Sequence, residues 1–398
     1  MKEQTIFDLL YPKYQIKKPI RLIELFAGYG SQALALKYLG VNFEHWKICE
    51  WAIKSIQAYK DIHFTNDEYQ ESGMILEKDD LVEILYHWGI SSNYNEPMTK
   101  EQIKRLNRDN LWEIYKNIKI TNNLVNIQKV RGRDLDIRDT DKYTYLLTYS
   151  FPCQDLSLAG KGKGMSDTST RSGMLWEVER ILSECKELGQ MPEVLLMENV
   201  PQVHSEDNKS DFLKWITRLE ELGYKNYFQD LIATDYGIPQ TRNRCFMVSI
   251  LGDYSYSFPQ PIPLKTFLKD LLEEKVDEKY YLSDKLIDFF VKNTIKNQKS
   301  GNGFKFEPIE QDKAIMSKTI TTRSGSRMDD NFIISNTAAQ LEDLKIRKLT
   351  PKECFRLMGL KDEDSEKCLK NQSDSSAYHL AGDSIVVNVL MAIFKEMF

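Results

Sequence analysis

The feature that most constrains this chain is a short apolar run, Ile20 to Phe26, that passes directly into Gly28-Tyr29-Gly30 and then into a helical stretch. A short, mostly apolar run bounded by glycine reads as a buried strand. Ala33, Leu34, Leu36 and Leu39 then carry helical spacing up to Gly40, a good residue on which to end a helix. Glu50 follows Gly28 by 22 residues. A strand, a Gly28-x-Gly30-x-x-Ala33 turn, a helix and a downstream acid make the nucleotide-binding pattern. The glycines allow a tight turn and close ligand approach, and the acid suits ribose hydroxyls. By itself the pattern suits a dehydrogenase as well as a methyltransferase using S-adenosylmethionine. Trp51, beside the acid, is placed to stack on adenine.

Further short strands are expected at Lys47–Cys49, Tyr145–Tyr149, Val194–Met197 and Cys245–Ile250, with helices such as Met174–Leu188 and Asp211–Leu222 among them. Strands alternating with helices predict an α/β fold with a parallel sheet. Residues 52–130 differ. Leu81, Ile84, Leu85 and Trp88, and again Leu111, Ile114, Tyr115 and Ile118, fall at i, i+3, i+4, i+7, which predicts a mostly helical insertion. Phe258-Pro259-Gln260-Pro261-Ile262-Pro263 reads as a linker, and residues 264–344 mix short strands and polar loops without strand–helix rhythm. At about 100–200 residues per domain, 398 residues fit two or three domains. We expect one built from 1–252 plus 376–398 and a smaller one over 253–375.

Hydrophobic residues at 41% and charged residues at 28% exclude disordered and low-complexity classes. The six cysteines include no C-x-x-C pair, which argues against a disulfide framework and a cysteine-rich zinc site. The apolar piece Ile6–Leu10 is interrupted by Asp8, unlike a signal peptide, and the longest apolar run, Ile385–Phe394, is ten residues against the about 20 that span a bilayer. A soluble, cytoplasmic protein is expected. A net charge of −5 argues against general coating of nucleic acid but permits local basic surfaces. Ala314–Met328 holds Lys318, Arg323 and Arg327 without an acid, and Lys345–Arg356 holds five bases against one acid.

Three more motifs sit at strand ends, where ligands of open α/β sheets bind. Phe151-Pro152-Cys153-Gln154 places a thiol after a Pro-fixed turn. Met197-Glu198-Asn199-Val200-Pro201 brings a carboxyl group that can hydrogen-bond a ring nitrogen. Gln240-Thr241-Arg242-Asn243-Arg244 puts two guanidinium groups on one side of an extended segment, fit to clamp an anion or a carbonyl.

In this order the motifs resemble the DNA (cytosine-5) methyltransferase family. Leu25-Phe26-Ala27-Gly28-Tyr29-Gly30 is similar to its cofactor loop, Glu50-Trp51 to its acid–aromatic pair and Asp136-Ile137 to the pair that meets adenine. Pro152-Cys153-Gln154 resembles the catalytic loop, Ser157–Met165 the mobile segment that follows it, and Arg171–Trp176 the next block. Glu198-Asn199-Val200 and Gln240-x-Arg242-x-Arg244 resemble the remaining catalytic blocks. Arg347–Cys354 resembles the block anchoring the recognition domain, and Gly382-Asp383-Ser384-Ile385 the terminal block. Ser31 stands where many members have another glycine, and Asp383 where an asparagine is usual. The Trp51–Asp136 spacing is longer than in compact bacterial members, so the helical insertion inherits no role.

The resemblance implies a Rossmann-like S-adenosylmethionine-dependent sheet domain with a second, smaller target-recognition domain. It implies methyl transfer to C5 of a cytosine flipped from double-stranded DNA, without a metal, by a monomer of the bacterial or phage restriction–modification type. Cys153, Glu198, Arg242 and Arg244 are the catalytic candidates. Phe26, Gly28, Tyr29, Gly30, Ser31, Glu50, Trp51, Asp136, Ile137, Pro152, Asp383 and Ser384 are the cofactor candidates. Gln154, Ser157, Lys161, Lys163, Gln240, Thr319, Arg323 and Arg327 are the DNA candidates, with Thr319–Arg323 resembling a short recognition signature. Methylation of tRNA by the same chemistry, and a silent DNA-binding regulator on this scaffold, are the alternatives.

Overall fold

The computed structural model describes residues 11–65, 76–152, 172–335 and 345–398. The chain forms two compact units. One holds residues up to Leu231 with Asn243–Gln260 and Leu390–Phe398; the other holds Ile232–Arg242 and Pro261–Val389.

The first unit is built on six strands: β1 (Ile20–Leu25), β2 (Phe43–Cys49), β3 (Thr144–Tyr149), β4 (Val194–Asn199), β5 (Tyr224–Ile232) and β6 (Asn243–Leu251). Their order is β2-β1-β3-β4-β6-β5. β1 pairs in parallel with β2 and β3, and β3 with β4, whereas β6 runs antiparallel to β4, so the sheet is parallel except at that edge. β1, β3 and β4 are buried along their whole length, which is why they read as mostly apolar runs. β2 starts four residues before the expected Lys47, and β5 has no expected counterpart. Both expose part of each face, so their sequences, FEHWKIC and YKNYFQDLI, mix polar and apolar residues.

Helix α1 (Ser31–Leu39) closes on Gly40 with φ 68°, the left-handed stop expected from sequence. Then come α2 (Ile53–His63), α3 (Lys78–Trp88), α4 (Lys100–Lys104) and α5 (Arg108–Ile120). The periodic residues of the insertion fall on α3 and α5, where Leu81, Leu85, Leu111 and Ile118 join one apolar core. Its partly exposed edge is aromatic, with Trp88 and Trp112 each stacked on Tyr115 at 5.5 Å. Helices α6 (Leu175–Glu187) and α7 (Lys209–Leu222) bury Val178, Leu182, Phe212 and Trp215 in the main core with Leu147, Leu195 and Met247 of the sheet.

The second unit contains α8 (Leu268–Leu271), α9 (Asp284–Lys299), strands β7 (Ile309–Glu310), β8 (Phe332–Ser335) and β9 (Lys345–Lys348), and helices α10 (Pro351–Leu357), α11 (Asp362–Leu369) and α12 (Asp374–Gly382). Helix α9, 16 residues long, is absent from the sequence expectation. Ile287, Phe290, Val291 and Ile295 do fall at i, i+3, i+4 and i+8, but the segment lies in a stretch otherwise rich in polar residues, and only Phe290 is buried. The start of α10 is written in sequence: Thr350 caps it, Pro351 opens it and Glu353 completes a capping box. Glu353 also takes a bidentate ion pair from Arg347 at 2.8 and 2.9 Å, both side chains being fully buried. Helix α13 (Val387–Lys395) follows α12 after a break at residues 383–386. Within Asp374–Lys395, the most apolar 18-residue window has a mean hydropathy of 1.5, but 72% of that window is buried, as in a core element.

Candidate active site

Strand register brings the first unit's motifs to one edge of the sheet. Leu25 is opposite Cys49 on one side and Tyr149 on the other, Tyr149 is opposite Met197, and Asn199 is opposite Cys245. The segments beginning at Phe26, Glu50, Ser150 and Glu198, and Arg244 at the start of β6, therefore emerge side by side. β1 is the switch point, its neighbours β2 and β3 lying on opposite sides.

The loop after β1 depends on left-handed backbone: Phe26 has φ 61°, Gly28 φ 56° and Gly30 φ 83°. Phe26, with a side chain, carries strain there. Its amide and that of Ala27 donate to the Cys49 carbonyl, at 2.8 and 3.3 Å. A Cβ on Gly28 would meet nothing within 4 Å, so the space beside it is open; one on Gly30 would strike the His63 and Tyr59 rings. Tyr29 and Ser31 are buried, so Tyr29 offers chiefly its backbone to the loop mouth.

Glu50 is held from several directions. Its carboxylate accepts the Gly28 amide at 3.0 Å and the Ala52 amide at 2.7 Å. Its backbone is clamped by one side chain of the insertion: Asn123 Oδ1 accepts the Glu50 amide at 3.0 Å, and Asn123 Nδ2 donates to the Glu50 carbonyl at 2.9 Å. Trp51 packs on the insertion core, and its carbonyl accepts the Ser91 amide at 2.8 Å. Asn123 carried no sequence signal, because its partner is 73 residues away. Asp136 adopts φ 52° after a 3₁₀ turn and pairs with Arg138 at 3.5 Å, while the Ile137 side chain lies in the core.

At the end of β3, Asn199 Nδ2 donates to the Phe151 carbonyl at 3.0 Å, tying the Pro152 turn to β4. Cys153, Gln154, Ser157, Lys161 and Lys163 lie outside the described residues. Beside that turn, Glu198 Oε1 is 3.2 Å from Arg244 Nε, the two side chains being only 10% and 18% exposed. Arg244 also donates to the Asn243 carbonyl at 2.7 Å.

The other candidates belong to the second unit. Gln240 is fully buried; it donates to the Leu357 carbonyl at 2.7 Å and accepts the Ile320 amide at 2.9 Å. Arg242, also buried, donates to the carbonyls of Ile320, Gly382 and Ser384 at 3.0, 3.1 and 2.7 Å. Both brace the loop at Ile320, and Arg242 also ties it to the end of α12. A Cβ on Gly382 would land on the backbone of Thr321 and Thr322, so glycine is what lets that loop sit there. Arg323 and Arg327 are exposed, whereas Thr319 is half-buried and its hydroxyl donates to the Thr241 carbonyl at 3.4 Å; Arg327 pairs with Asp329 at 3.1 Å. Asp383 ends α12, its amide donating to the His379 carbonyl, and Ser384 Oγ donates to the Ala381 carbonyl at 2.9 Å.

The model of C-5 cytosine-specific DNA methylases matches residues 89–398, more than half of the chain. The chain belongs to the C-5 cytosine-specific DNA methylase family. This methylase is 35% identical to the type II methyltransferase M2.ScrFI of Lactococcus lactis subsp. cremoris, over 95% of this chain and 99% of the relative. It is 33% identical to the orphan methyltransferase M.SssI of Spiroplasma monobiae, over 96% and 97%. In fold it resembles the Dnmt2 methyltransferase of S. pombe, with a TM-score of 0.63, 16% identity, and 94% of this chain and 97% of that one covered. It is a DNA cytosine-5 methyltransferase, and the family generally draws its methyl group from S-adenosylmethionine. The residues present fit that cofactor: an amide-anchored carboxylate stands beside an open glycine at the switch point, acceptor chemistry suited to a ribose diol.

The methylase also holds an acid that sequence reasoning missed. Glu24, fully buried in β1, accepts the Tyr59 hydroxyl at 2.5 Å and the Ala33 amide at 3.3 Å, joining β1 to α2 and to the first turn of α1. Tyr59 also meets His45 Nδ1 at 2.9 Å, and His63 Nε2 lies 2.9 Å from the Tyr29 carbonyl, so this network backs the glycine loop. Its signal was a lone acid in an apolar strand, two residues before Phe26. Burial pushes the Glu24 carboxyl from 4.5 up to about 7. Between those values the folded state holds a proton that the unfolded state has lost, so this group's contribution to stability falls as pH rises. The span corresponds to roughly 3 kcal/mol. Glu24→Gln should flatten the fall in Tm between pH 4.5 and 7. An unchanged profile would remove Glu24 as its source.

Proposed function

We propose that this methylase acts as a monomer in the cytoplasm of a bacterial host, or from a phage within it. It methylates C5 of a cytosine flipped out of double-stranded DNA at a defined sequence, protecting that DNA from a cognate restriction endonuclease. The observation that carries this reading is the Glu198–Arg244 ion pair beside the Pro152 turn, on the sheet edge that also bears the glycine loop and Glu50. The names of the relatives, type II and orphan methyltransferases, support it.

S-adenosylmethionine supplies an electrophilic methyl on sulfur. The Phe26–Ser31 loop and Glu50 would hold it, with Trp51 and the Asp136–Ile137 turn available to its adenine. C5 of cytosine is a poor nucleophile, and Cys153 remedies this by adding its sulfur to C6, which makes C5 electron-rich. Glu198 holds N3 as that charge develops, and Arg244 fixes the Glu198 carboxyl. When the C5 proton leaves, the ring electrons expel Cys153 and aromaticity returns. Extruding the base costs a few kcal/mol. The 253–375 region carries sequence reading, with Thr319, Arg323 and Arg327 on the loop that Gln240 and Arg242 brace. Gln154, Ser157, Lys161 and Lys163 meet DNA.

Labelled methyl groups should enter duplex DNA and spare tRNA, and bisulfite sequencing of DNA from expressing cells should reveal one recurrent motif. Incorporation into tRNA alone would overturn the substrate; none in either would favour a silent regulator. The clamp on Glu50 makes Asn123 a positioning residue. Asn123→Ala should raise the KM for S-adenosylmethionine about five- to tenfold, a loss of about 1 kcal/mol, and leave kcat within twofold. An unaltered KM counts against the clamp.

A further inference from the structure

The fold assembles a second group of reactive side chains that methyl transfer does not use. His204 closes the 3₁₀ turn that follows β4, Asp230 is near the end of β5, and Cys245 lies in β6. His204 Nε2 is 2.9 Å from Asp230 Oδ1, and the Cys245 thiol lies beside the same carboxylate. The three donor atoms lie within 4.8 Å of one another. No local spacing announces them; they meet because β6 lies against β4, with Asn199 opposite Cys245, and is bordered by β5.

We propose that His204, Asp230 and Cys245 form a binding site for a divalent transition-metal ion of the zinc class. An imidazole nitrogen, a carboxylate oxygen and a sulfur make a borderline-soft donor set. It suits zinc or cobalt and discriminates against magnesium and calcium, which prefer oxygen throughout. On binding, the Cys245 proton passes to solvent, so thiolate and carboxylate together neutralise the charge of a divalent ion. Metal–ligand bonds of about 2.0–2.3 Å place tetrahedral donors roughly 3.3–3.8 Å apart, so closure asks for side-chain shifts of about 1 Å. The way in is open on one side: His204 and Asp230 are 31% and 33% exposed, whereas Cys245 is fully buried and forms the floor. A water molecule then completes the fourth position. The His204 ring is set by Phe212 and Phe228, with centroids at 6.0 and 5.8 Å, which pack edge-to-face on each other. A bound ion would staple the exit of β4 to β5 and β6, so it should raise the unfolding temperature of the full chain.

Cobalt(II) is the probe, added to reduced full-length protein. One equivalent should produce a thiolate-to-cobalt charge-transfer band with intense tetrahedral d–d absorption, and zinc should bleach both. Cys153→Ala should retain the signal. Cys245→Ser should lose it, and His204→Gln, a half-exposed position that keeps a hydrogen-bonding group, should weaken binding at least about tenfold. Zinc should raise the Tm of wild type and not of these two variants. No band in the wild type, a band that survives Cys245→Ser, or one lost in Cys153→Ala would each overturn the site. If Cys245→Ser fails to fold, unweakened binding by His204→Gln is itself decisive against it. None of these readouts depends on methylation, so the metal site and the enzymatic reading stand or fall separately.

Discussion

Replacing Cys153 with alanine should reduce methyl transfer by roughly 10⁴-fold or more, with affinity for target DNA changed little. The expectation rests on cytosine chemistry, because C5 cannot attack a methyl group until a nucleophile has added at C6. The local frame supports the residue after Pro152 as that nucleophile. Phe151 is buried, its carbonyl is fixed by Asn199 at 3.0 Å, and Tyr149 is in register with Met197, so the chain leaves β3 beside Glu198. An oligonucleotide with fluorine at C5 separates nucleophile from bystander. Fluorine cannot leave as a proton does, so the sulfur–carbon bond persists and a denaturant-resistant band remains on a gel. Wild type should form that band and Cys153→Ala should not. A variant that still methylates at the wild-type rate would dismiss this thiol from the chemistry.

What the sequence revealed follows from how locally each feature is encoded. β1, β3 and β4 are buried on both faces and read as apolar runs, and the Gly28–Gly30 turn needs left-handed backbone that glycine provides. Gly40 likewise wrote a helix end into one residue. The edge strands β2 and β5 were harder, since a partly solvated strand carries a mixed pattern, and α9 was hidden among polar residues, with little burial to mark its apolar positions. Contacts across long separations left no trace: Asn123 on Glu50, Tyr59 on Glu24 and His204 on Asp230 exist only once the strands are in register. Exposure is equally illegible. Gln240 and Arg242 look like ligand-facing groups in an extended segment, yet they are buried and bonded to their own unit's backbone. Arg244, two residues on, lies in the other unit and pairs with Glu198.

That pair sets the second large effect. If Glu198 answers N3 as proposed, Glu198→Gln should lower kcat by about 10²–10⁴-fold with little change in the KM for DNA, because it keeps the side chain's shape and removes the carboxyl. Arg244→Ala should cost activity and stability together. At 10% exposure the carboxylate has little water to replace a guanidinium 3.2 Å away, and breaking a buried pair by removing one partner costs about 3–5 kcal/mol. Some exposure remains, so the lower end is expected. Arg244→Lys restores the charge without the planar fork and should recover stability more fully than turnover. The decisive comparison is the double variant. If Arg244 acts by holding the Glu198 carboxyl, then once Glu198 is glutamine, losing Arg244 should reduce kcat little further, and the two effects will fall well short of multiplying. Fully multiplicative losses in kcat would mean that Arg244 serves the reaction independently of Glu198, and the ion pair would then be a neighbour of the chemistry instead of part of it.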